Sequence, residues 1–138
     1  MTTYTLAWGY NDDDPSGQNT VRVHTSHELD TALDTIAANS SPVMVTIYPG
    51  TWTAGQPTPP HGFQLMWGHP HRAVLSWFGN EAATASDPHL PPWPEPIGHD
   101  LDSAEPWLTR ITPAQARVAL HEYLRTEARP TTVAWDDQ

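Results

Sequence analysis

The sequence predicts an α+β fold: a mainly antiparallel sheet with two helices packed on one face. Three observations carry this expectation. Several short stretches alternate apolar and polar residues with the period of two that a half-buried strand requires. Neighbouring stretches of this kind are joined by turn residues, which favours hairpins and hence antiparallel pairing. Two longer stretches, 25–39 and 112–128, repeat apolar residues every three or four positions, as a helix with one buried stripe does. With 138 residues, 1–138 reads as a single domain. A chain of that size buries ~65–70% of its surface on folding.

The elements follow in order. Tyr4, Leu6 and Trp8 alternate with polar or small residues and form the first strand. Residues 9–19 are a turn-rich loop holding Asp12, Asp13 and Asp14, and Val21 and Val23 mark a second strand that pairs with the first. Thr25, with Glu28 three positions on, makes a capping box for the first helix. Leu29, Ala32, Leu33, Ile36 and Ala37 form its apolar stripe, and Pro42 lies just past its end. The β-branched run 43–48 is a strand, 49–62 a loop rich in Pro and Gly, and Phe63, Leu65 and Trp67 alternate again. Gly68-His69-Pro70-His71 reads as a turn into a strand at 73–78, closing a hairpin. Residues 79–110 show no periodicity and hold six prolines, so a long functional or mobile loop is expected, with a short edge strand at 97–101. Thr112, Pro113 and Gln115 start the second helix, whose stripe is Ala116, Leu120, Tyr123 and Leu124. Pro130 stops it, and 132–135 is the last strand. The helices cover one face and leave the other free to stay open.

Composition narrows the function. Sixteen carboxylates oppose six arginines and no lysine, for a net charge of −10. Such a surface repels phosphate, which argues against direct nucleic-acid binding and suits a basic protein partner. No long apolar run exists to span a membrane, and the first residues lack the basic and apolar regions of a signal peptide. Cysteine is absent, so there is no disulfide framework and no thiolate metal site, consistent with a cytoplasmic protein.

Enzyme signatures are missing. His27-Glu28 is followed by Thr31, and His121-Glu122 by Arg125, so neither completes a zinc-binding H-E-x-x-H. No nucleophile elbow or phosphate-binding loop occurs, and a zinc deaminase would need cysteines. His61, His69 and His71 are the best metal-ligand types, but turn histidines are usually solvated. The Asp12–Asp14 run lacks the spacing of a calcium loop. No catalytic residue, metal or cofactor is assigned.

The tail carries a resemblance. The run Leu120-His121-Glu122-Tyr123-Leu124-Arg125-Thr126-Glu127-Ala128-Arg129-Pro130-Thr131-Thr132-Val133-Ala134-Trp135 sets an amphipathic helix before Arg-Pro and a strand ending in Trp. This pattern resembles the C-terminal signature of the first family of bacterial polymorphic-toxin immunity proteins. The resemblance implies an α+β architecture of this kind and an antitoxin role. It also implies a toxin partner of the nucleic-acid deaminase type, one acting on cytosine in DNA. The Pro-rich stretch matches no pattern of the family. The alternatives are a small enzyme using one of those histidines with a carboxylate, and an adaptor for an endogenous protein.

An inhibitor of such a toxin can fill a basic cleft with carboxylates. The candidates are the loop acids Asp12, Asp13, Asp14, Glu81, Asp87, Glu95, Asp100, Asp102 and Glu105. Of seven tryptophans, Trp8, Trp67, Trp77 and Trp135 fall on strands and read as core. Trp52, Trp93 and Trp107 fall in loops. All three are candidate interface anchors, Trp52 and Trp93 foremost, because Trp is enriched at hot spots; any of them could instead fold down over the sheet.

Overall fold

The computed structural model describes residues 2–9, 13, 17–39, 42–52, 56–79, 81–97 and 108–137. The elements run β1 (Tyr4–Trp8), β2 (Asn19–Val23), α1 (Ser26–Asn39), β3 (Val43–Pro49), β4 (Gly62–Trp67), β5 (Val74–Phe78), β6 (Ala83–Ser86), α2 (Pro113–Thr126) and β7 (Ala134–Asp137). Together they make an α+β fold with one seven-stranded sheet in the order β2-β1-β3-β4-β5-β6-β7, every neighbouring pair antiparallel. The chain passes from β2 through α1 to β3 and so straddles β1.

Both helices lie on one face. Leu29, Leu33 and Ile36 of α1 and Ala116, Leu120 and Tyr123 of α2 share a core with Tyr4, Leu6, Val45, Ile47, Phe63, Leu65 and Leu75 of the sheet. Polar groups pin this layer. The Trp67 indole N–H donates to the Leu33 carbonyl at 2.9 Å, tying β4 to α1. The Tyr4 hydroxyl points at the Tyr123 carbonyl at 3.4 Å. Between the helices, Arg117 donates to Asp30 at 2.9 Å and to Asp34 at 2.5 Å, and His121 Nε2 lies 3.0 Å from Asp30.

The expected caps form. Glu28 N–H donates to Thr25 Oγ1 at 3.1 Å, while the Glu28 carboxylate accepts from the His24 N–H at 3.0 Å. At α2 the box is complete: Gln115 N–H donates to Thr112 Oγ1 at 3.1 Å and Thr112 N–H to Gln115 Oε1 at 2.8 Å. The end of α2 differs from expectation. It stops at Thr126, because Glu127 adopts a left-handed conformation (φ +57°) and its N–H returns to the Tyr123 carbonyl at 2.7 Å. The helix is closed before Pro130 can act on it. β7 likewise begins at Ala134, so the strand expected at 132–135 is shifted towards the C-terminus.

The stretch 79–110 is not simply a loop. It contains β6, all four of whose residues are buried, pairing with β5 on one side and β7 on the other. The strand is hard to see in the sequence because Ala83-Thr84-Ala85-Ser86 lacks large apolar residues and alanine is depleted in strands. Small side chains are what an interior strand here accommodates. Ala85 faces the helix-side core.

Beyond Asp87 the Pro-rich run folds onto the second face, which is therefore only half open. Ile97 joins Met66 and Val74 in a second small core, packed by Met44, Trp93 and Leu108. Of the edge strand expected at 97–101, Ile97 is buried and 98–101 lie outside the described residues. No helix among the described residues is long and apolar enough to cross a membrane.

Candidate functional site

The open half of the second face holds a groove. The register sets Thr46 opposite Gln64 and Gln64 opposite Ser76, so alternate residues of β3, β4 and β5 form its floor with Tyr48 and Phe78. Trp52, Thr58 and Pro59, between β3 and β4, wall one side, and Ala82, between β5 and β6, walls another. The groove encloses about 530 Å³, within the ~300–1,000 Å³ of ordinary ligand clefts. Among the described residues its lining includes no charged side chain. Burial pushes the Tyr48 hydroxyl's pKa up, more than the nearby Arg22 charge and a bond with Thr5 pull it down.

The structure sorts the residues expected to meet a partner. Trp52 is 40% exposed on the groove wall, its indole N–H donating to the Gln56 carbonyl at 3.1 Å. Glu81 is exposed and directly precedes Ala82. Glu95 is exposed on the Pro-rich segment that covers the other half of the same face. Asp13 is exposed in the β1–β2 connection, towards the other edge of the sheet. Asp12, Asp14, Asp100, Asp102, Glu105 and Trp107 lie outside the described residues.

Asp87 and Trp93 are occupied structurally. Asp87 accepts from Gln115 Nε2 and from the His89 N–H, each at 2.9 Å, and chiefly the Gln115 bond holds its carboxyl below the usual carboxylate range. It thus fastens the start of the Pro-rich segment to the first turn of α2, and Arg110 adds bonds to the Leu90 and Pro88 carbonyls. Trp93 has folded down rather than standing free. Its ring lies 5.4 Å from His71, 5.0 Å from His69 and 5.2 Å from the Arg72 guanidinium, and the Trp93 backbone N–H donates to Thr109 Oγ1 at 2.9 Å.

The rings of His69 and His71 lie 5.9 Å apart beside Trp93, while His61 sits elsewhere, with Trp77 and Tyr123. His69 Nδ1 accepts the His71 and Arg72 backbone N–H groups at 3.1 and 3.2 Å, which locks the β4–β5 turn. Burial first, then the His71 and Arg72 charges, lower the His69 pKa. His61 stacks on Trp77 and meets the buried Tyr123 hydroxyl at 2.8 Å. Desolvation drives the Tyr123 pKa far up, so that hydroxyl stays protonated. Among the described residues no cluster of three or more His, Cys, Asp or Glu could hold a metal ion.

Sequence reasoning missed the groove floor. Thr46, Tyr48, Gln64, Ser76 and Phe78 lie far apart along the chain and meet only through strand register. Their one signal was that every second residue of these strands is neither charged nor uniformly apolar.

A family model described as Immunity protein Imm1 matches residues 17–137, from the end of the β1–β2 connection to the end of β7. No curated protein matches the chain, and no solved structure does. The match takes in the helix layer, the groove and the closing strand with Trp135, and by it the chain belongs to the Imm1 family of immunity proteins.

Proposed function

We propose that this immunity protein binds a cognate toxin acting on nucleic acid, of the cytosine-deaminase class, and occludes its catalytic cleft without turning over a substrate. The observation that carries the reading is the charge of the chain, −10 with no lysine, on an immunity-family fold. A toxin that handles nucleic acid needs a basic cleft, and carboxylates on stiff loops complement it. Such complementarity speeds encounter and rejects wrong partners. The exposed acids Asp13, Glu81 and Glu95, with Trp52 as an aromatic anchor, supply it here. Asp12, Asp14, Asp100, Asp102 and Glu105 belong to the same proposal, while Asp87 and Trp93 hold the presenting segment in place. The deaminase class rests on the resemblance of the tail and on nothing in the groove. The site of action is the cytoplasm, where the toxin would find its substrate.

Co-expression with the protein encoded beside this chain's gene tests the reading. Growth that stops with the neighbour alone and resumes with both is expected, together with a complex on gel filtration. Failure to rescue and to bind would refute it. Uracil accumulating in the DNA of cells making the toxin alone would support the cytosine-deaminase class. Growth arrest without uracil would remove that class and leave the immunity role.

A further inference from the structure

The groove has unusual chemistry for so acidic a chain. The rings of Tyr48, Trp52 and Phe78 bound it, the polar side chains of Thr46, Gln64 and Ser76 form part of its floor, and none of the described lining residues carries a formal charge. The charges stand at its flanks. Glu81 is exposed beside the Ala82 wall, and no described cation pairs with it. Arg22 is in register with Thr5, and Thr5 with Tyr48, so this cation stands on the same face beyond the Tyr48 end of the groove, close enough for its charge to act on the Tyr48 hydroxyl.

The chain itself shows what its indole rings accept. Arg72 lies over Trp93 at 5.2 Å, Arg117 over Trp67 at 5.0 Å and Arg129 over Trp135 at 5.5 Å. Half of the six arginines are thus stacked on tryptophan. Trp52, the most exposed indole on the groove, has no such cation over it among the described residues. A guanidinium suits this exposed ring better than an ammonium. It is flat, weakly hydrated and stacks readily, and its five donors can reach hydroxyl and amide oxygens while its face covers a ring.

We propose that the groove seats an arginine-bearing loop of the partner toxin, its guanidinium stacked on Trp52 and donating to the Thr46, Gln64 and Ser76 oxygens. The identity of the partner as a toxin rests on the function proposed above. Charge chooses the occupant. A net charge of −10 and Glu81 at the rim favour a basic loop, and the described polar floor at Thr46, Gln64 and Ser76 carries no formal charge of its own. About 530 Å³ accommodates that side chain with its neighbours.

Two experiments test this. In the first, NMR of the full chain follows the Trp52 indole and Gln64 amide signals during titration with acetyl-Gly-Arg-Gly-amide. Saturable shifts of both are expected, with the citrulline and lysine peptides weaker by at least about threefold and with Trp52→Ala silencing Gln64. Equal shifts from citrulline or lysine peptides, or no saturable shift, overturn the proposal. In the second, the toxin encoded beside the gene is bound to wild type, Trp52→Ala and Gln64→Ala. Trp52→Ala, which also loses the indole bond to the Gln56 carbonyl and is compared with Gln64→Ala after both are shown to melt cooperatively, should release the toxin on the order of thirtyfold faster. Should wild type neutralise the toxin while neither variant releases it faster, the groove proposal fails and the immunity function stands. Should wild type fail to neutralise while the arginine peptide still binds selectively, the toxin fails as the source of the arginine. A dimer in sedimentation that Trp52→Ala dissolves would place a second copy in the groove and overturn the proposal.

Discussion

Trp135 closes the sheet, and truncating it to alanine should remove about 3 kcal/mol of stability, of a typical total of ~5–15. Its ring stacks on Phe63 at 6.2 Å, and Phe63 meets Tyr123 of α2 edge-on at 4.8 Å. The indole N–H donates to the Pro130 carbonyl at 2.8 Å, and Arg129 lies over the ring at 5.5 Å. The lost hydrogen bond is worth about 1 kcal/mol. The aromatic and cation–π contacts are worth about 0.5–1 kcal/mol each. The side chain is half-buried, so its burial contributes about 1 kcal/mol, below the ~3–5 kcal/mol of a fully buried tryptophan. For a domain of this size each kcal/mol moves the melting temperature by roughly 3–5 °C, so a fall of about 10–15 °C is expected by calorimetry. Trp135→Phe keeps the stack on Phe63 and loses the bond to Pro130, so it should fall by only about a third as much. The reasoning is wrong if Trp135→Ala melts within a degree or two of wild type, or if phenylalanine is as damaging as alanine.

Other perturbations probe the remaining elements. Gln115→Ala removes half of the α2 capping box and the bond that fastens Asp87, and chemical denaturation should show a loss of about 1–2 kcal/mol; no loss would free the Pro-rich segment from α2. His69 has a pKa lowered from an ordinary value of about 6.5, so the folded state favours the neutral ring. Its contribution is complete above that value and is lost as pH falls from there through the folded-state pKa. His69→Asn retains an acceptor for the His71 and Arg72 N–H groups and does not titrate, so its melting temperature should vary less with pH over that window; an unchanged pH profile would clear His69. Glu81→Lys with Glu95→Lys should leave the melting temperature within the range of surface substitutions and slow toxin association several-fold. The difference from wild type should shrink as salt screens charges beyond a Debye length of ~8 Å. Equal association rates would exclude these acids from steering.

Much of the architecture was legible because its causes are local. Alternation in Tyr4-Thr5-Leu6-Ala7-Trp8 and the apolar stripe of α1 need only the period of a strand or a helix. Thr112 and Gln115 satisfy each other within one turn, so a capping box can be read directly. Where large apolar residues were missing, as in Ala83-Thr84-Ala85-Ser86, the strand was invisible, since its burial comes from β5 and β7 rather than from its own side chains. The end of α2 was misplaced for a related reason. Pro130 is a visible breaker, whereas the left-handed turn at Glu127, a residue with no special preference for it, is not.

The charge of −10, the absence of cysteine and the Arg-Pro to Trp135 tail already belonged to the sequence, and with the tail the family. Only the tertiary structure decided which of the described loop residues are held by other parts of the fold. Asp87 and Trp93 look as free in sequence as Glu81 and Trp52. Yet Gln115, on an element 28 residues away, claims Asp87, and the β4–β5 turn with Arg72 claims Trp93. The groove was likewise beyond reach, because its floor joins single residues from three strands. Period-two alternation places each of them on a face, but only the hydrogen-bonded register between strands sets them side by side.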